Sequence, residues 1–245
     1  MTEVSLKDKN YIDNPRTQTR YLGETEAAIR FVDTEDREDI KRMMEIASNK
    51  TVQSFVDDLN EMTIEDIQKW ADRHKSKDPE DWEVLYVVSG SPEYVKEEEV
   101  GEIQGFINCY TNQETREEIE EFKALLPPIE PKTQLVELSI AKVPYAKPGQ
   151  ISSAVRQVCF ELNKLKGGKN EENEQNIPSK MLIFVYVKNS NNAGQEVFKR
   201  ACFENKGKVN LKGEEDDYYL LVLNWEKLND SIHAKSDTVL FPQLQ

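Results

Sequence analysis

TQLVELSIAKVPYAKPGQISSAVRQVCFELNKLK, residues 133–166, holds the change from strand to helix around which the rest of the chain is arranged. Val136, Leu138 and Ile140 alternate with Glu137, Ser139 and Ala141, the two-residue period of a pleated strand. A bend between Val143 and Gln150 contains Pro144, Pro148 and Gly149. Beyond it Ile151, Val155, Val158, Leu162 and Leu165 fall at offsets of 0, 4, 7, 11 and 14, one stripe of an amphipathic helix. A strand feeding a loop and a helix N-terminus aims backbone N–H groups and a partial positive charge at one point, which suits an anion such as a phosphate. An ordinary β–α connection has the same pattern, and both readings stand at this point.

Downstream, residues 167–180 are polar and read as a loop, and Met181–Val187 (MLIFVYV) is apolar on both faces, as in a strand inside a sheet. A helix follows from about Asn192 to Ala201, with Ala193, Val197, Phe198 and Ala201 inward. Lys206–Leu211 and Asp217–Trp225 suggest a closing hairpin, and residues 227–245 an irregular C-terminal tail. Upstream, residues 1–26 are polar and aperiodic and read as a flexible tail. Ala27–Val32 reads as a strand, leading into a helix capped by Asp33 or Thr34 with Ile40, Met43, Met44 and Ala47 on one face. Phe55, Val56 and Leu59 mark another helical piece. Thr63 caps a further one, with Asp66 three residues on and Ile64, Ile67 and Trp70 inward. Trp82–Ser89 and Val100–Tyr110 form a long-tipped hairpin. Glu114–Leu125 is a glutamate-rich helix inserted before the central strand, either a solvated face or a lid over a cationic substrate. The order predicts one α/β domain over residues 27–226, a mixed sheet with helices on both faces.

Acidic residues number 46 against 32 basic ones, for a formal charge of -14. That balance opposes nucleic acid and anionic membrane as partners and favours cations, amines among them, although it also serves solubility. Three distant cysteines and two histidines, His74 and His233, give no basis for a disulfide framework, a metal site or a histidine-based triad. With no signal-like or membrane-length apolar run, a cytoplasmic location is expected.

The element order and several local motifs resemble the Gcn5-related N-acetyltransferase (GNAT) family over roughly Ala27 to Trp225. IRFVDTEDREDIKRM looks like the family's first strand and helix, and FVYVKNSNNAGQEVFKRACFE like its later strand and helix. IAKVPYAKPGQISSAV is similar to the acetyl-coenzyme A loop, written Gln/Arg-x-x-Gly-x-Gly/Ala. In that alignment Lys147 takes the Gln/Arg place, Gln150 the first Gly and Ser152 the second small residue, with Gly149 displaced by one. Asn191 matches the family Asn, Phe198 stands where a Tyr is usual, and Cys202 replaces the Gly before Phe203.

The resemblance implies a mostly antiparallel GNAT-like sheet and acetyl transfer from acetyl-coenzyme A to a primary amine of a small molecule or a protein. Glu137 would be the base and Ser139 a positioner of water. The coenzyme would be held by Ile140, Ala141, Lys142, Lys147, Pro148, Gly149, Gln150, Ile151, Ser152, Ser153, Asn191 and Phe198. Gln150 would offer its amide to a phosphate. A backbone N–H near Ile140–Lys142 would meet the oxyanion. Phe198 cannot protonate the leaving thiolate as the family Tyr does, and Tyr186, Tyr218 and Tyr219 are the candidate replacements. The alternative is a degenerate member that keeps the fold as an acyl-coenzyme A sensor or a protein-interaction module. Pairing into a homodimer is left open.

Overall fold

The computed structural model of the chain describes residues 20–21, 27–32, 37–50, 63, 65–66, 69, 81–90, 103–130, 133–142, 146, 149–166 and 181–236. The expected N-cap at Asp33 or Thr34, the inward set Phe55, Val56, Leu59, Ile64, Ile67 and Trp70, and the loop at 167–180 lie outside them.

The strands are β1 (Arg20–Tyr21), β2 (Ala27–Phe31), β3 (Trp82–Gly90), β4 (Ile103–Thr111), β5 (Gln134–Lys142), β6 (Met181–Lys188), β7 (Phe203–Asn210) and β8 (Asp217–Leu223). They form one sheet in the order β1-β2-β3-β4-β5-β6-β8-β7. Every neighbouring pair is antiparallel except β5 and β6. Among the described residues the complete helices are α1 (Arg37–Ala47), α2 (Gln113–Glu121), α3 (Gln150–Lys166), α4 (Asn192–Arg200) and α5 (Trp225–Ser236), with a short 3-10 turn at Lys123–Leu125. This is the mixed sheet with helices on both faces that the element order predicts, and mostly antiparallel as the resemblance implies.

Alternation decides which face each helix covers. Val136 and Leu138 of β5, Ile107 and Cys109 of β4, and Ile183 and Val185 of β6 point to one side, where the buried stripe of α3 (Ile151, Val155, Val158, Leu162) packs on them. Phe198 of α4 and Leu228 of α5 join the same cluster. The opposite face carries two separate apolar patches. One lies under α1 and includes Ile40, Met43, Leu85, Phe106 and Ala141. The other includes Ile119 of α2 with Leu135, Leu182, Phe184 and Leu220.

At Thr63 the predicted capping box is formed: its N–H donates to Asp66 Oδ2 at 2.9 Å and its Oγ1 accepts from the Asp66 N–H at 3.2 Å. Three expectations need correction. Residues 227–236 are not an irregular tail but the body of α5, held by fully buried Leu228. Within the expected N-terminal tail, Arg20 and Tyr21 pair with Ile29 and Ala28. Ala193, expected inward on α4, is exposed, because that nine-residue helix buries Phe198 at its far end instead.

Candidate active site

The parallel ladder between β5 and β6 is short. It has four pairs, from Gln134↔Met181 to Glu137↔Phe184, and then stops. Both strands continue, β5 to Lys142 and β6 to Lys188. Beyond Glu137, β5 stays paired with β4 on its other side, and β6 stays paired with β8. The sheet therefore opens between Leu138–Lys142 and Val185–Lys188. Successive backbone groups of a strand point alternately to its two neighbours, so both rims present amide and carbonyl groups to the opening.

The N-terminus of α3 stands at the far end of this opening. Gly149 adopts φ 93, a left-handed conformation that suits glycine, and turns the chain into the helix. Its carbonyl accepts from the Ser153 N–H at 2.9 Å and from Ser152 Oγ at 2.9 Å. Gln150, Ile151, Ser152 and Ser153 are all buried, and the first N–H groups of a helix have no partner within the helix itself. The Gln150 side chain, a candidate phosphate donor from sequence, is inside the fold at 1% exposure. The turn sits close because β4 has a glycine beneath it: a Cβ on Gly105 would lie 3.2 Å from Ile151 Cδ1 and 2.6 Å from the Ala141 carbonyl oxygen. Lys142, at the end of β5, is partly buried, and desolvation lowers its pKa. Lys147 and Pro148 lie outside the described residues.

On the opposite face Glu137 and Ser139 lie along β5 between Leu135 of one apolar patch and Ala141 of the other. Both are partly buried. Across β4 their register partners are Tyr110 and Asn108. Asn108 is buried and donates through Nδ2 to Oε1 of buried Glu83 on β3. Glu83 and Asn108 were missed from sequence, although each is a polar interruption of a strongly apolar strand, and that was the available signal. Ile140 is partly buried and packs toward α3, while Ala141 is buried under α1.

The later helix contributes structure. Asn191 caps α4, its Oδ1 accepting from the Gly194 N–H at 2.8 Å. Phe198 is 2% exposed and meets Phe203 edge-on at 5.1 Å, so its ring is part of the core. Cys202 has φ 71, a left-handed residue that closes α4 where the resemblance led to a Gly. The phenols sort by face. Tyr186 of β6 shares the face of Glu137, Tyr218 donates through its hydroxyl to Glu214 Oε2 at 3.1 Å, and Tyr219 packs on the α3 side with Lys208 Nζ 5.8 Å from its ring centre.

An opened parallel pair ending at a helix N-terminus defines a class. The chain has the fold of the Gcn5-related N-acetyltransferases, far diverged in sequence. An aminoglycoside acetyltransferase, AAC(6')-Ib, solved with coenzyme A and kanamycin, is 14% identical with a TM-score of 0.55, covering 84% of this chain and 99% of its own. Spermidine N-acetyltransferase from Vibrio cholerae, solved with CoA and spermine, is 11% identical with a TM-score of 0.54, covering 83% and 98%. A ribosomal L7/L12 alpha-N-protein acetyltransferase is 12% identical with a TM-score of 0.52, covering 84% and 93%. At the level of sequence no protein-family profile and no curated protein matches the chain. No described helix is long and apolar enough to cross a membrane.

Proposed function

We infer that the unit over residues 27–226, braced by α5, is an N-acetyltransferase that moves an acetyl group from acetyl-coenzyme A to a primary amine, in the cytosol. The observation that carries this reading is the opening between β5 and β6 with the α3 N-terminus at its end. Its two rims match an extended amide-bearing arm, and the first turn of α3 matches a diphosphate. The arm would bring the thioester level with Glu137. On that face the acceptor nitrogen, with a pKa near ~10 as an ammonium, must lose a proton before it attacks. Glu137 is the base in this proposal, and Ser139 holds a bridging water. As the carbonyl becomes an oxyanion, a backbone N–H of the Ile140–Lys142 rim donates to it, a contribution that depends on strand geometry and tolerates side-chain change. The acceptor is a small amine or an exposed protein amine, the two kinds named for the structural neighbours.

A second reading, a non-catalytic acyl-coenzyme A sensor, is favoured by one observation: Phe198 is sealed in the core where a proton-donating Tyr would serve the leaving thiolate. A thiol near pKa ~8.5 still departs as the anion, so this loss slows the reaction without stopping it. The two readings part on one experiment. Saturating acetyl-coenzyme A should raise the Tm, and thiol release over a panel of polyamines, aminoglycosides and lysine peptides should then find an acceptor. Stabilisation with silence across the panel selects the sensor, and no stabilisation removes both. Glu137→Gln should lower turnover and spare coenzyme affinity. Lys147→Glu, with reversed charge beside the diphosphate, should weaken it.

A further inference from the structure

After its last pairing with β5, the next side chain that β6 presents on the Glu137 face is Tyr186. Carrying the register two residues past the Glu137↔Phe184 pair sets it level with Ser139. The ring is fixed from two sides: Phe184 meets it at 5.5 Å and 70°, and Phe122, just after α2, at 6.0 Å and 69°. The hydroxyl oxygen is buried and has no hydrogen-bond partner among the described residues. Leaving a buried polar group unmet is unfavourable, so a partner from outside these residues is its expected complement. Neighbouring phenols are committed elsewhere, Tyr218 to Glu214 and Tyr219 to the opposite face.

The charged groups around Tyr186 are Glu118 and Glu121 of α2 and Glu137 of β5. Burial first, then Glu118, Glu137 and Glu121, raise the phenol's pKa, so it stays protonated at neutral pH. Glu118 is half-buried, and its pKa is raised by that burial and then by Glu114, Glu121 and Glu214. No cation among the described residues pairs with it.

We propose that Tyr186 positions the acceptor: its hydroxyl oxygen accepts an N–H of the incoming amine beside Glu137, and the surrounding rings and carboxylates select an alkylammonium group. This rests on the acetyltransferase reading above. The ammonium gives one proton to Glu137, and its lone pair attacks the thioester carbon. The C–N bond forms as the C–S bond breaks, with the electron pair leaving on sulfur. The nitrogen's surplus proton ends on the thiolate. Tyr186 gives up no proton in this sequence.

The test is a thermal-shift titration of the full chain with coenzyme A, and then of that complex with spermidine, n-butylamine or n-butanol. It compares wild type, Tyr186→Phe and Tyr219→Phe. Coenzyme A should stabilise all three, and the two amines should stabilise the wild-type complex further while butanol does not. Tyr186→Phe should lose about tenfold in amine affinity, the effect of one hydrogen bond. Its unliganded Tm should match or exceed that of wild type, since an unmet buried hydroxyl is gone. Tyr219→Phe should keep amine affinity. If coenzyme A stabilises the protein but the amines bind wild type and Tyr186→Phe equally, bind neither, or are matched by butanol, the proposal is overturned. If coenzyme A itself does not bind, the acetyltransferase reading fails first.

Discussion

Gly105→Ala is the sharpest probe of how the site is held together. Gly105 lies opposite Lys142 in the β4–β5 register and beneath the first turn of α3. Its added methyl would stand 2.6 Å from the Ala141 carbonyl oxygen, 3.1 Å from Lys142 Cα and 3.2 Å from Ile151 Cδ1, against the 3.4 Å at which ordinary contact begins. Two of these atoms are backbone, so no rotamer change relieves the clash. Overpacking of this kind costs about 1–3 kcal/mol. Stiffening the unfolded chain by Gly→Ala returns about 0.4–1 kcal/mol, leaving a net loss near ~1–2 kcal/mol. For a chain of this size that is a fall of roughly 2–8 °C in Tm. The strain is relieved by moving the end of β5 and lifting α3, the two elements proposed to hold the coenzyme. Acetyl-coenzyme A affinity should therefore fall along with stability. Urea denaturation and a coenzyme titration read the two effects. Gly213→Ala is the control, because its Cβ would meet nothing within 4 Å and its φ of +92 strains only a distant turn. A Gly105→Ala protein as stable as wild type, with unchanged coenzyme affinity, would refute the wedge described here.

Asn191→Ala removes the cap of α4 and leaves the Gly194 N–H unmet, at a cost of about 1 kcal/mol by urea denaturation, and Asn191→Ser should recover part of it. Glu204 accepts from Lys227 Nζ at 2.7 Å, Asn224 Nδ2 at 2.8 Å and Lys206 Nζ at 3.0 Å, which hold its pKa down to about 2. A depressed carboxyl pKa contributes stability above the unfolded value near ~4.3 and loses it as the pH falls toward 2. The Tm gap between wild type and Glu204→Gln should thus be full at pH 6 and close in acid; a gap independent of pH would contradict it. Cys109 and Cys159 are buried, and burial pushes both thiols up, whereas Cys202 is partly exposed. A maleimide should label one thiol in the folded chain and three in urea.

Much of this fold is written into the chain by alternation and periodicity. β5 and α3 could be read from Val136, Leu138, Ile151 and Val155 because one burial pattern determines both element and face. The α5 helix, WEKLNDSIHAKS, is hard to read from sequence because Leu228 is the one buried residue among its described side chains. A capping signal was nevertheless there, since Asn224 Oδ1 accepts from the Lys227 N–H at 3.0 Å. The site was only half legible. Glu137 and Ser139 could be assigned to one face of β5, but an opening is a property of two strands, and MLIFVYV looks the same whether its neighbour stays paired or leaves. Tyr186 could be named but not oriented, because face and partner depend on that departure. The Cys202 substitution likewise becomes intelligible only with its backbone angle in hand.

A sheet that parts in its middle acquires two edges in its interior, and free edges invite other chains to add a strand. Each rim here ends on a lysine, Lys142 on β5 and Lys188 on β6, the latter held by Asp216 at 3.2 Å. Lysine on an edge strand discourages stacking of extended segments, since its charge must stay hydrated. With Lys188 buried against Asp216 and Lys142 half-buried, a strand added along either rim would strip further water from a charge, which opposes self-association at the slot.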